Sequence, residues 1–243
     1  MTQTASFLRS LVDTAAEPYR QAGRYAWHFA RGKLGGDPAF AGLLQRGLLA
    51  GRSNVLDIGC GQGLLTAWLL SAADADARGQ RPQGWPAAPR PAHVRGIELM
   101  QHDVDRAEAA LQEAVAAGRA SFVAADMCNA DFGGPLDAVV ILDVLHYVPL
   151  AAQEDVLRRV RAALVPGGVL LLRVGDAAAG LPFRISNWVD FVVTTLRGHR
   201  LGRLYCRPLA EWEALLASLG FQVDAQPMSQ GTPFANVLLV ARL

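Results

Sequence analysis

The sequence predicts an α/β fold built on a doubly wound, mostly parallel sheet. Three observations carry that expectation. From residue 54 onward, short β-type runs alternate with longer helical stretches. The first run ends in glycines that lead directly into an apolar helix. The run Leu136 to Asp143 is almost wholly apolar, as a strand covered on both faces should be. Alternation of this kind implies right-handed crossovers between parallel strands.

The elements follow in order. Residues 1–50 read as helical, with Phe7, Leu8, Leu11, Tyr19, Tyr25, Trp27 and Phe29 before Pro38. Asn54 to Gly59 is the first strand, and Leu64 to Ser71 continues as an apolar helix. Residues 71–92 hold Pro82, Pro86, Pro89 and Pro91 with Gly79 and Gly84, a composition that predicts a surface insertion. His93 to Leu99 is the second strand. Val104, Ala107, Leu111 and Val115 recur at helical spacing across 101–117. Ala120 to Asp126 and Leu136 to Asp143 are the third and fourth strands. Val156, Leu157, Val160 and Leu164 line a helix that Pro166-Gly167-Gly168 stops, and Val169 to Val174 is the fifth strand. Residues 175–204 break the pattern; there Ile185, Trp188, Val189, Val192 and Leu196 share one helical face ahead of Arg197, His199, Arg200 and Arg203. Leu209 to Leu219 is a helix closed by Gly220, and runs from Phe221 and Asn236 form an antiparallel edge pair.

Composition narrows the function. The chain has 243 residues, is 51% hydrophobic and carries a net charge of +1. Apolar content that high excludes global disorder. Near-neutral charge gives no electrostatic footprint for nucleic acid. Cys60, Cys128 and Cys206 are too scattered for a disulfide framework, and the histidines sit apart from any metal-ligand cluster, so no metal is expected. No run approaches the ~18 apolar residues of a membrane span, and the polar N-terminus lacks a signal pattern. The expectation is a cytoplasmic protein. Lys33 is the single lysine and receives no mechanistic weight.

Chemistry concentrates in Val55-Leu-Asp-Ile-Gly-Cys-Gly-Gln-Gly63. An apolar strand delivers Asp57, then Gly59, Gly61 and Gly63 precede a helix. Glycine lets a ligand approach the main chain, and the helix start offers unpaired N–H groups. Two acids close the next strands: Glu98, placed to accept both hydroxyl hydrogens of a ribose, and Asp126, placed to accept from an exocyclic amine. In open α/β sheets, ligands bind beyond the carboxyl ends of the strands.

These residues resemble the class I S-adenosylmethionine-dependent methyltransferases. The resemblance covers residues 54–174 closely. Asp57 with Gly59, Cys60, Gly61 and Gly63 matches the first motif, Glu98-Leu99 the ribose-binding site, and Asp126-Met127 the adenine-binding pair. Leu136 to Val148 and Leu164 to Leu172 are similar to the two motifs that follow. The resemblance implies a Rossmann-like sheet of seven strands with one antiparallel, S-adenosylmethionine as cofactor, S-adenosylhomocysteine as product, and Asp143 with His146 at the reacting centre and the cofactor's methionine portion. On this reading residues 1–50 are a helical lid and 51–243 the methyltransferase domain, with the 71–92 insertion and a substrate cap at 177–204. The insertion places Glu98 beyond the usual ~20 residues from the glycine loop.

His146 is the first candidate for a general base, because histidine titrates near neutral pH. Its alternative is a packing role. Tyr25 and His28 in the lid, Trp188 in the cap and Arg207 beyond it are the candidate substrate residues. The apolar stripe of the cap suits a lipid-like or carrier-bound acceptor, or ordinary packing. Tyr25 to Leu34 with Asp37-Pro-Ala-Phe40 resembles methyltransferases of bacterial polyketide, fatty-acid-like or aryl polyene pathways. The expected activity is methylation of a small or medium, rather apolar hydroxyl or carboxyl compound. Two rivals remain at this stage. A nicotinamide-dependent oxidoreductase would need its third glycine one position later than Gly63 and a catalytic Tyr/Lys pair. A non-catalytic cofactor-binding module would keep Asp57 and Glu98 without an open pocket above Asp143 and His146.

Overall fold

In the computed structural model, which describes residues 3–177, 204–228 and 236–243, the chain divides into two compact units, residues 1–130 and 131–243. The cap read at 177–204, including Trp188, lies outside the described residues apart from its ends.

The first unit begins with α1 (Gln3–Ala16), a 3-10 turn (Glu17–Arg20), α2 (Arg24–Gly36) and α3 (Pro38–Gln45). Asp37 caps α3 by accepting from the Ala39 N–H at 2.9 Å, and Pro38 occupies a position where a missing N–H costs nothing. These helices are part of the unit's core. Leu11, Ala15, Tyr19, Ala26, Ala30 and Leu34 are buried in one cluster with Trp68, Ala72, Val104 and Ala107.

β1 (Asn54–Ile58) buries every residue after Asn54. It pairs in parallel with β2 (His93–Glu98), and β2 pairs in parallel with β3 (Ala120–Ala124). The register sets Asp57 beside Gly96 and Glu98 beside Ala124. Between β1 and β2 runs α4 (Leu64–Ala77), buried along most of its length, as its largely apolar first half requires. Trp68 within it donates to the Phe40 carbonyl at 2.8 Å. α4 runs six residues past the expected stop at Ser71, because Ala72 to Ala77 are alanines and aspartates and the first proline comes only at Pro82.

The rest of the insertion folds back on the unit. Pro82, Pro89 and Pro91 are buried, and Trp85 meets Phe7 of α1 edge to face at 5.6 Å. Asp76 at the end of α4 holds Arg81 at 2.7 Å and Arg90 at 3.2 Å. The helix expected across 101–117 is two helices, α5 (Gln101–Ala110) and α6 (Gln112–Ala116), broken at Leu111 where φ is −110°.

The second unit holds β4 (Leu136–Leu142), α7 (Leu150–Ala163), β5 (Leu164–Gly175), α8 (Leu209–Ser218), β6 (Gln222–Pro227) and β7 (Asn236–Arg242). β4 and β5 are parallel, and β7 runs antiparallel to both β5 and β6, between them. The one strand expected to run against its neighbours is therefore β7. Leu164 belongs to β5 rather than to the preceding helix: it pairs with Leu136, and the next registered pair is Ala138 with Val169. The residues between, including Pro166-Gly167-Gly168, bulge out of the ladder. Gly168 is needed there, since a Cβ would lie 2.8 Å from the Val165 carbonyl oxygen.

Candidate functional site

In the first unit the glycine loop leaves β1 with Gly59, Gly61 and Gly63 all at positive φ (78°, 52° and 76°). Each N–H but one has a fixed acceptor. Gly59 and Cys60 donate to the Ile97 carbonyl at 2.8 and 3.1 Å, and Gly63 to the Cys60 carbonyl at 2.9 Å. Gly61 donates to Glu98 Oε2 at 2.9 Å, while Met100 donates to Oε1 at 3.1 Å. Glu98 thus stands at the end of β2 with both oxygens oriented by main-chain donors. The two sides of the loop differ. A Cβ on Gly63 would lie 2.9 Å from Phe122 Cε1, whereas one on Gly61 meets nothing within 4 Å among the described residues. Open space therefore lies over Gly61.

Asp57 sits beneath the loop, 4% exposed. Burial, and then the neighbouring Glu98 carboxylate, push its pKa up to about 7. Cys60 is packed in the same place; burial foremost, and then the charges of Asp57 and Glu98, push its thiol pKa well up, which disfavours the reactive thiolate. Gly96 makes room for it, since a Cβ there would meet Cys60 Sγ at 2.6 Å. Among the described residues, two buried side-chain oxygens beside the loop have no hydrogen-bond partner: Gln62 Oε1 and Thr66 Oγ1. Leu99 projects with 62% of its surface exposed. Asp126 is exposed just past β3, where its carboxylate accepts from the Cys128 N–H at 2.9 Å. Met127 follows it, half-buried.

The N-terminal segment reaches this loop through Tyr19, which is fully buried and donates its hydroxyl to the Gln62 carbonyl at 2.8 Å. Around it, Trp27 lies under the guanidinium of Arg20 at 4.0 Å and near that of Arg31 at 5.2 Å. Tyr25 is 55% exposed, with Arg106 5.2 Å from its ring, and His28 is exposed against Trp27.

In the second unit, β4 ends at Leu142 and Asp143 takes a left-handed turn at φ 58°. Its carboxylate is gripped by Arg173 of β5: Nε donates to Oδ1 at 2.9 Å and Nη2 to Oδ2. Arg173 is 2% exposed. Three residues beyond Asp143, the 3-10 turn Leu145–Tyr147 carries His146. Burial lowers the imidazole pKa, against an opposing pull from Asp143. The His146 carbonyl accepts the Tyr205 N–H at 2.9 Å.

Arg207 lies within the fold of this unit. It donates to Gln153 Oε1 (3.1 Å), the Leu150 carbonyl (3.1 Å) and Glu154 (2.8 Å), with 11% of its side chain exposed. Fully buried Gln153 donates to the carbonyls of Val148 and Tyr205 at 3.1 and 2.7 Å. Together they tie residues 205–207 to the turn after His146. Sequence reasoning passed over Arg173 and Gln153. Each had a signal: a charge inside the apolar strand Leu170-Leu-Leu-Arg-Val174, and an amide on the apolar face of α7, both of which demand partners once buried.

Residues 56–170 match a family model described as Methyltransferase domain. No curated protein matches the chain. Among solved structures it is similar to magnesium protoporphyrin IX methyltransferase from Synechocystis, solved with bound SAH, at TM-score 0.57 and 23% identity over 84% of this chain and 80% of that one. It is similar also to an O-methyltransferase family protein from Burkholderia thailandensis, at TM-score 0.62 and 19% identity over 92% and 61%. Mitomycin 7-O-methyltransferase MmcR gives TM-score 0.59 and 22% identity over 91% and 58%. Against these last two the chain spans about three fifths of the relative's length. Residues 56–170, a little under half of the chain, thus resemble a methyltransferase domain, and the solved structures share its Rossmann-like fold. That match favours methyl transfer from S-adenosylmethionine over the oxidoreductase and non-catalytic alternatives.

Proposed function

We propose that the chain transfers the methyl group of S-adenosylmethionine to a hydroxyl or carboxyl oxygen of a small or medium, rather apolar compound of polyketide or fatty-acid-like type. The observation that carries the oxygen acceptor is the turn after β4. Arg173 occupies the Asp143 carboxylate there, and His146 is half-buried with its imidazole pKa lowered by desolvation, which favours the neutral form. A neutral imidazole takes a proton at a ring nitrogen, which a hydroxyl acceptor needs and an ionised carboxyl does not. The names of two similar structures, an O-methyltransferase family protein and a 7-O-methyltransferase, support oxygen as the acceptor. The net charge of +1 favours an uncharged or apolar partner over nucleic acid.

The residues present fit the donor, on the open side of Gly61 and the oriented carboxylate of Glu98. Glu98 holds the ribose hydroxyls, Asp126 and Met127 the adenine, and Leu99 covers it with apolar surface. Gly59, Cys60, Gly61 and Gly63 bring the main chain close, with Asp57 fixing the loop from below. When bound, the donor supplies an electrophilic methyl on a positively charged sulfur. The chain's own work is then to orient both partners, exclude water and accept one proton at His146. Tyr25 and His28, exposed on the N-terminal segment, are the proposed substrate contacts, as is Trp188 of the cap; Arg207 serves to anchor residues 205–207.

A panel of matched alcohols and carboxylic acids of rising chain length, incubated with methyl-labelled S-adenosylmethionine and read by mass spectrometry, tests the reading. Methyl esters or ethers are the expected products. Label carried only on nitrogen or carbon would remove it.

A further inference from the structure

We infer that Tyr19 is a positioning residue for the cofactor site, setting the conformation of the glycine loop through its hydrogen bond to the Gln62 carbonyl. The inference rests on the cofactor reading of that loop given above. The loop has three glycines at positive φ within five residues, so its own backbone preferences do little to choose one conformation. What chooses is the set of hydrogen bonds. Four of them come from strand β2 or from within the loop, and all four involve loop N–H groups. The Tyr19 hydroxyl instead reaches a loop carbonyl, that of Gln62, and it comes from the N-terminal segment, 43 residues away in sequence.

Its surroundings suit that task. Tyr19 is fully buried, in a 3-10 turn begun by Pro18 and stabilised at its rim by the Arg20–Glu17 pair. Burial, and then the charges of Cys60 and Asp57, keep its hydroxyl protonated far into alkaline pH, so the donor is always present. The bond lands on Gln62, between Gly61, whose open side faces the proposed cofactor space, and Gly63, which starts α4. Removing the hydroxyl leaves a buried carbonyl without its donor. The loop then spends time in other conformations, and apparent affinity falls in proportion to the fraction still competent. A saturated enzyme is unaffected, because binding itself selects the competent form.

The test is a KM-against-kcat split. Tyr19→Phe keeps the buried ring and should raise the Kd for S-adenosylmethionine, and its KM, about tenfold, with kcat at saturation within twofold of the unaltered protein. Leu11→Ala, which loosens the N-terminal helix without touching the bond, is the control: it should lower the melting temperature while leaving Kd unchanged. An unchanged Kd in Tyr19→Phe, or an equal rise in Leu11→Ala, overturns the inference. Glu98→Ala is measured alongside. If Glu98→Ala weakens binding and Tyr19→Phe does not, the inference fails and the cofactor reading stands. If neither does, the cofactor reading itself fails.

Discussion

Arg173 and Asp143 form a two-pronged ion pair across neighbouring strands, with the arginine all but sealed from solvent and the aspartate partly open. The pair locks the left-handed turn from which His146 projects. Removing the arginine strands a carboxylate in a partly buried site. Arg173→Leu should therefore cost about 3 kcal/mol, at the low end of buried-pair losses because Asp143 keeps 26% of its side chain exposed. Urea unfolding measures it. Adding Asp143→Asn should recover part of that loss; a second, additive loss would show that the two side chains do not act as a pair.

Glu98 is the acceptor for two main-chain donors, so its loss reaches beyond the ribose it is proposed to hold. Glu98→Ala should weaken S-adenosylmethionine binding at least about tenfold, since charge-assisted hydrogen bonds are the strong ones. Calorimetric titration reads this directly, and unchanged affinity would remove the ribose assignment.

Gly61 and Gly63 predict opposite phenotypes from the same substitution. Gly63→Ala combines positive φ with overlap on Phe122 and Ala107, and should cost about 3 kcal/mol of stability. Gly61→Ala meets no atom of the described residues within 4 Å and should cost only about 1 kcal/mol for its left-handed backbone. Its methyl group would instead occupy the space proposed for the donor. Melting curves with and without S-adenosylmethionine separate the two: Gly61→Ala should melt near the unaltered protein but gain little from the ligand.

Asp57 makes the ligand-free protein lose stability as pH rises. Its carboxyl titrates near 7 when folded and near 3.8 when unfolded. Between those values the folded state binds more protons, so unfolding free energy falls with increasing pH. The contribution is fully present below about pH 4 and gone above about pH 7, with a span of up to about 4 kcal/mol. Comparing Asp57→Asn with the unaltered protein at pH 4, 5.5 and 7 isolates it from His146, whose lowered pKa works the other way. A constant difference between the two proteins across that range would refute the assignment.

His146 should act on the chemical step. His146→Ala is expected to lower kcat on a hydroxyl acceptor by about 10²–10⁴-fold with cofactor affinity unchanged. On a carboxyl acceptor, already ionised at neutral pH, the loss should be far smaller. With the imidazole pKa lowered, the acidic limb of the unaltered enzyme's pH–rate profile should fall below 6.5. Equal turnover of both proteins on a hydroxyl acceptor would end the base role.

Much of this architecture could be read along the chain, because periodicity is local. Apolar runs placed β1, β2 and β4 within a residue or two, and the terminal antiparallel pair was legible from its two runs. Boundaries moved where tertiary pairing outweighed a local signal: Leu164 left its helix to pair with Leu136, and the break at Leu111 follows from no proline or glycine. The glycine loop, Glu98 and Asp126 stood out as residue types at strand ends. Tyr19 was visible only as one aromatic among several in the first helices, since its partner lies 43 residues away. Arg173 was likewise hidden, its meaning depending on a carboxylate 30 residues earlier. Arg207 looked available in sequence and is engaged in the structure, because nothing local announces Gln153 and Glu154 as its acceptors.

The Pro-rich stretch offers a use that its position in the sheet makes available. It leaves the end of α4 and returns to β2 beside Ser53, whose carbonyl accepts from Ala92 and His93 at 2.9 and 3.1 Å, so its contour length is invisible to Glu98. Gln83 and Gly84 at its tip are exposed, while Trp85 next to them rests edge-on against Phe7. The indole is thus a native fluorophore reporting on the seating of the first helix, and a dye at position 83 would watch the same contact without touching the glycine loop.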